Sequence, residues 1–483
     1  MVSQRARAGK TARCQSASQF ASVPPSTGAS VAAKKRALDE TDAADAGSKL
    51  RLGLDPVIDN KIKAGVKEAT GTVELSVQPG FTANMDATSL LQSLIDNPAV
   101  RAISINQSIS ISTVTIPPNR PIKIGTNRPQ NVIGTPLITV LPGGSGIRLN
   151  GSGGNLVVGV FLDGLSFTSA DQAVVGAITG QSVTGLYGTN LTFLHVKGPA
   201  LRIDGIFYDS TMENVVAMDC GDTGKAVIQY GAGSDANRIT WTNLRVERSA
   251  STQLLLEGSA YDNDFLGCKF HGPVTDGAAG IVLGAGAKDN HFIGGQVFVA
   301  VTIAGVRNLL TGLMFTLTSD TVAAVTMTGQ QNQVMACEFI NVWKPVAMTG
   351  ELNEFVDNEI TGVNLITATG PFSKILRNTF VSSFAPTGVD RLINMGAYGI
   401  CSQNTFKAFE GSNTYVYVIV ATTASIVQSN MVYASGARPP GNVVYATADN
   451  MIIKDNIGVG VTDSAVKQFT TDATRIVADN KKI

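Results

Sequence analysis

Along residues 237–457 the apolar positions follow one recurring phrase: small-polar, x, apolar, x, x, small-polar, x, apolar. It reads Asn263-x-Phe265-x-x-Cys268-x-Phe270, then Asn332-x-Val334-x-x-Cys337-x-Phe339, Asn353-x-Phe355-x-x-Asn358-x-Ile360 and Ser373-x-Ile375-x-x-Asn378-x-Phe380. The second small-polar slot falls at 268, 295, 313, 337, 358, 378, 404, 430 and 455, a period of 18 to 27 residues. Periods of this size mark stacked supersecondary units, none of which buries its apolar face alone. Apolar residues two apart lie on one face of a strand. The intervening step of three breaks that alternation, so the chain bends there. Gly267, Gly294 and Gly312 stand at the bend in successive coils, where glycine turns left-handed without a Cβ penalty. A further strand follows each phrase and ends on small residues, as in Gln253-Leu-Leu-Leu-Glu-Gly258 and Pro345-Val-Ala-Met-Thr-Gly350. Several short strands per coil, without 3.6-residue periodicity or a leucine consensus, predict an all-β parallel β-helix.

Stacked coils place like residues on like. The last apolar slot predicts an internal column of Phe270, Val297, Phe315, Phe339, Ile360, Phe380, Phe406, Val432 and Ile457. The small-polar slot holds Asn358, Asn378, Asn404 and Asn430 in four consecutive coils, then Asp455. At about 4.8 Å between coils, stacked amides can hydrogen-bond to one another, so an asparagine ladder is the favoured reading over a polar binding strip.

With its ladder, stacked aromatics and coil length, the chain from about Asp86 onward resembles the pectate-lyase-like right-handed parallel β-helix superfamily, and within it bacteriophage tailspikes and related virion proteins. A second likeness lies in Asp86-Ala-Thr-Ser-Leu-Leu-Gln-Ser-Leu-Ile95 followed by Ser112-Thr-Val-Thr-Ile-Pro-Pro-Asn119, a helix, strand and Pro-Pro turn like those that open tailspike solenoids. Asp86 or Thr88 can cap that helix, while Leu90, Leu91, Leu94 and Ile95 cover the open apolar end, as a terminal repeat must. The resemblance implies a single-stranded right-handed β-helix over residues 81–483, assembly as a homotrimer, and a place in the virion after folding in the host cytoplasm.

Charge changes the picture mainly at the N-terminus. The whole chain carries 37 basic and 37 acidic residues, a balance that argues against a general nucleic-acid or membrane-surface binder. Residues 1–36 nevertheless contain Arg5, Arg7, Lys10, Arg13, Lys34, Lys35 and Arg36 and no acidic residue. Such a segment lacks the apolar content for a core and is expected to order only on a partner. Residues 1–53 therefore read as an arm that anchors the chain to other virion proteins, with Phe20 beside the basic residues; a nucleic-acid contact, a nuclear address and a transit peptide are the other readings. Residues 54–80 read as a neck, a short helix with Ile58, Ile62 and Val66 on one stripe and then a strand. Neither a secretory signal nor a membrane span is legible. The five cysteines show no metal-finger spacing; Cys268 and Cys337 share a column three coils apart, roughly 14 Å, too far for a disulfide.

The candidate chemistry is sparse. Polygalacturonases of the resembled superfamily carry paired aspartates and a Gly-His-Gly motif, and neither is present; no metal site or cofactor is expected. Arg238, Asp264 and His291 are read as outward residues of three successive coils, near Asp262 and His271, where a carboxylate beside an imidazole can do acid–base work. Glu338 and Glu359 fall in adjacent coils about 5 Å apart, the separation of a retaining glycosidase pair, with Arg377 one coil on. Trp241 is read as outward-pointing, and with Trp343 could stack on a sugar. The function expected is a tailspike, fibre or capsid-surface spike that attaches to host-surface polysaccharide, the alternative being a polysaccharide hydrolase or lyase.

Overall fold

The computed structural model describes residues 71–483 apart from 127–135, 153, 170–171, 223, 250, 273–278, 318, 320, 364, 384–390, 408–416, 435–439, 441, 462–465 and 469–475. The arm and the neck helix, with Cys14, Phe20 and Ile58, lie outside the described residues.

The chain winds as a right-handed parallel solenoid. Among the described residues one sheet takes a single strand from each of 15 coils, and the other collects 33 strands from the remaining walls. Pairing between coils is parallel and in register, for example Phe265 with Phe292 and Phe380 with Phe406. Strand follows bend in the way the phrase requires. Gly267, Gly294 and Gly312 have φ of 62°, 65° and 63°, and the same bend continues through Ala336, Asp357, Arg377, Gln403 and Ser429, all left-handed. Hydrogen bonding between coils imposes that conformation even where no glycine eases it.

The core is a set of longitudinal stacks. Phe270, Phe315, Phe339, Phe380 and Phe406 all point inward, with Phe315 on Phe339 and Phe380 on Phe406 at centroid distances of 4.6 Å. A second stack runs through Trp241, Phe265 and Phe292, the last two 4.4 Å apart and within 7° of parallel. Each fully buried Phe stabilises the coil by about 1.5–3 kcal/mol through burial alone.

The asparagine ladder exists, and it is double. Asn358, Asn378, Asn404, Asn430 and Asn456 each pass an amide N–H to the side-chain oxygen of the next, the run ending on Asn480, at 2.9–3.0 Å. Asn263, Asn290, Asn308, Asn332 and Asn353 form another at the other small-polar slot, over 2.8–3.2 Å. Each ladder oxygen also accepts the backbone N–H of the preceding ladder residue, as when Asn378 donates to Asn404 at 2.9 Å. Two of the expected positions are corrected. Asn456, not Asp455, continues the ladder, and Gly458, not Ile457, pairs with Val432 in the core column. Asp455 instead takes the left-handed bend, φ 56°, with its side chain exposed.

The cap is helix α1, Thr88–Asp96, which buries Leu91, Leu94 and Ile95 while Leu90 packs at the core's edge. Ala87 stands at its N-cap; Asp86 Oδ1 accepts the Thr88 N–H at 3.0 Å. The helix also completes the first strand of the 15-stranded sheet. Thr88 Oγ1 accepts the Ser112 N–H at 2.8 Å, and Gln92 Oε1 accepts that of Thr115 at 2.7 Å. At its far end the buried Arg120 donates to the carbonyls of Ile95 and Asn97 at 2.8 and 2.7 Å, groups the last helical turn leaves open. Among the described residues no helix is long and apolar enough to cross a membrane.

Candidate functional site

The chemistry-bearing surface is organised by the bends. One residue ahead of the slot that carries the Asn263–Asn353 ladder, successive coils place a left-handed residue; the first, Asp209, is buried, and the later ones reach the surface. In coil order these are Asp209, Arg238, Asp262, Asp289, Arg307, Gln331, Leu352, Phe372, Tyr398, Ala424 and Asn450, with φ between 49° and 59°. Because the coils are in register, these residues form one outward strip parallel to the solenoid axis.

Its first part is ionic. Arg238 clasps Asp209 with two bonds of 2.5 and 3.0 Å, and Arg307 clasps Asp289 at 2.8 and 2.6 Å. The carboxylate of Asp209 holds the Arg238 guanidinium above its ordinary pKa. Beside the strip, on the adjoining strand face, His291 Nδ1 lies 3.0 Å from Asp264 Oδ1, and Lys374 Nζ 2.6 Å from Glu354. The later part is apolar. Leu352, Phe372 and Tyr398 are 36%, 42% and 51% exposed, and the last two rings stack at 5.0 Å and 18°.

The expected site residues are partly brought together. Asp264 and His291 meet, but Arg238 does not join them: Thr240 is the residue in register with Asp264, and Arg238 belongs to the bend. His271 lies at the opposite end of the strand Asp264–His271 and packs edge-on against Phe298, away from Asp264. Glu338 and Glu359 are in register in neighbouring coils, both exposed. Arg377 does not serve them; it binds Asp357 through two bonds of 2.7 and 2.8 Å and holds that carboxyl below the usual range.

Trp241 is a correction. It is fully buried, stacked over Phe265 at 6.5 Å, with Nε1 donating to the Tyr230 hydroxyl at 2.9 Å, so it cannot stack on a sugar. The bend of that coil falls at Asn243, two residues later than the phrase suggests. Trp343 is 39% exposed, on the turn before the strand Val346–Met348. The basic anchor residues lie outside the described residues.

Other polar groups escaped the sequence reading. Glu247 accepts from Arg245 at 2.6 Å with Lys269 at 3.3 Å, and Arg245 first of all holds its carboxyl down. The Tyr208 hydroxyl donates to Asp235, which together with burial pushes its pKa up to about 12. Alternating charged residues in a strand were the only available signal for the first cluster; the second depends wholly on register between coils. Cys220, Cys268, Cys337 and Cys401 are free and buried, and burial raises their thiols, the first three to about 12. They are inert core residues. Among the described residues no three His, Cys, Asp or Glu side chains converge on a possible metal site.

No family model matches the chain, and no curated protein matches it. Among solved structures it is similar to the ORF18 protein of Geobacillus virus E2, at 17% identity and a TM-score of 0.43 over 68% of this chain. The chain spans 63% of the length of that viral protein. It is also similar to the DFA-IIIase of Arthrobacter chlorophenolicus A6, solved in complex with GF2, at 11% identity and a TM-score of 0.34, over 84% of this chain and 100% of that one. The class the fold defines is the parallel β-helix, and similarity at this level assigns no activity within it.

Proposed function

We propose that this protein is a virion surface component, a tailspike, fibre or capsid spike, whose solenoid attaches to host polysaccharide and whose residues 1–53 dock on other virion proteins. The observation that carries the reading is the outward strip. Coil after coil offers one projecting side chain about 4.8 Å from the next, an arrangement that suits an extended repeating polymer better than a compact ligand. The rod's cohesion is internal, in its ladders and ring stacks, which leaves the outer surface free for recognition. The arm, with seven cations and no anion, supplies the attachment function that the rod does not need for its own folding. The test is deletion of residues 1–53: the expected product is a folded, soluble solenoid that retains polysaccharide binding and no longer joins particles. Loss of folding would assign the arm to the core instead.

A hydrolase or lyase on the same fold is the second reading, favoured by the Asp264–His291 contact of 3.0 Å and the facing Glu338 and Glu359. New reducing ends, or the absorbance of an unsaturated uronate, on incubation with polysaccharide would establish it. Loss of that signal in Glu338→Gln or Asp264→Asn would then locate the chemistry.

A further inference from the structure

The strip changes character within a few rungs, and the bend itself does not require the change. Any residue fits the bend slot: Asp289, Gln331 and Ala424 occupy it as well as Phe372 and Tyr398 do. A left-handed conformation costs a non-glycine residue roughly 1–2 kcal/mol, and rings left 42% and 51% exposed return little of this by burial. The two rings nevertheless stand in consecutive coils and stack on each other. The next rung is Ala424, so among the described residues Tyr398 has a ring stacked on its Phe372 side only. Flanking that rung on the strand face are the half-buried Ile400 and Ile426, in register with each other, whereas the Lys374–Glu354 ion pair, with Gln333 donating to Glu354 at 3.0 Å, lies on the other side of Tyr398, in the coils of Phe372 and Leu352.

We propose that Tyr398, backed by Phe372 and facing the rung at Ala424, is a stacking platform for a pyranose ring of an extended polysaccharide. The inference rests on the attachment reading and gives it a site. A pyranose presents an apolar C–H face and a rim of hydroxyls. Here the ring of Tyr398 meets the apolar face, the Ile400–Ile426 floor lies beneath one edge of the sugar, and the phenol hydroxyl is left to the rim. A second copy of the chain is the less suitable occupant. Stable protein interfaces involve about 20–30 residues a side, whereas this ledge exposes three apolar side chains, Leu352, Phe372 and Tyr398, bordered by ion pairs.

The experiment uses the full chain in native gels cast with dextran, xylan, alginate, hyaluronate or polygalacturonate. At least one polymer is expected to retard the wild type. Tyr398→Ala should then weaken binding about tenfold, the worth of one aromatic stacking contact. Ala424→Phe, which adds a third ring and fills the rung, should weaken it as much while leaving the thermal melt unchanged. If both variants are retarded like the wild type, the platform is wrong and the attachment reading stands. If no polymer retards the wild type, both fall. If sedimentation shows that Tyr398→Ala breaks an oligomer apart, the ledge is a subunit contact and the proposal is overturned.

Discussion

The Trp241 indole donates its N–H to the hydroxyl of Tyr230 at 2.9 Å, with both side chains fully buried inside the solenoid. Each group satisfies the other's only polar atom, so removing either one strands a buried partner. Tyr230→Phe should cost about 1–3 kcal/mol in denaturant unfolding. The double variant with Trp241→Phe should cost less than the sum of the two single changes. Iodide provides an independent check: it should quench Trp343 and leave Trp241 unquenched, because only Trp343 is exposed.

The ladder makes a sharp prediction at the C-terminal coils, where two adjacent residues compete for the same role. Asn456 donates to Asn480 at 2.9 Å and accepts from Asn430, whereas Asp455 is exposed at the bend. Asn456→Ala should destabilise the terminal coils by about 3 kcal/mol, since several buried amides lose partners at once. Asp455→Asn should stay within about 0.5 kcal/mol of the wild type. Hydrogen exchange at Ile453 and Val427 would report both.

Arg120 ties the cap to the first coils. Its guanidinium reaches the carbonyls of Ile95, Asn97 and Val100 together, which a single ammonium cannot do. Arg120→Lys is expected to lower stability by about 1–3 kcal/mol and to speed amide exchange in α1 before exchange in the later coils. Equal acceleration throughout the solenoid would contradict this.

Tyr208 sets an alkaline limit. Its folded-state pKa is about 12, against an ordinary 10.0, because its hydroxyl donates to Asp235. The neutral phenol is the form the fold favours, so the stabilisation is complete below pH 10 and is lost as pH rises from there towards 12. Stability measured across that window should fall less steeply in Tyr208→Phe than in the wild type, the buried cysteines being common to both.

The corrections share a physical origin. Coil length varies from 18 to 27 residues, so the partner of a residue in the next coil stands at no constant distance along the chain. The phrase sets Arg377 one coil on from Glu338 and Glu359, yet the residue one coil below it is Asp357. The phrase sets Trp241 at a bend, two residues away from the actual one, Asn243. Asp455 and Asn456 are both polar, and only the hydrogen bonds of the neighbouring coil distinguish them.

The sequence by itself determined the solenoid, the left-handed glycine bends, the inward phenylalanines and the run Asn358–Asn430, because each coil states that pattern anew in its own few residues. Tertiary structure alone decided what lies across from what. The second ladder, the separation of Arg238 from Asp264 and His291, the burial of Trp241 and the meeting of Phe372 with Tyr398 all depend on backbone hydrogen bonds between coils, which fix a register that no single coil encodes.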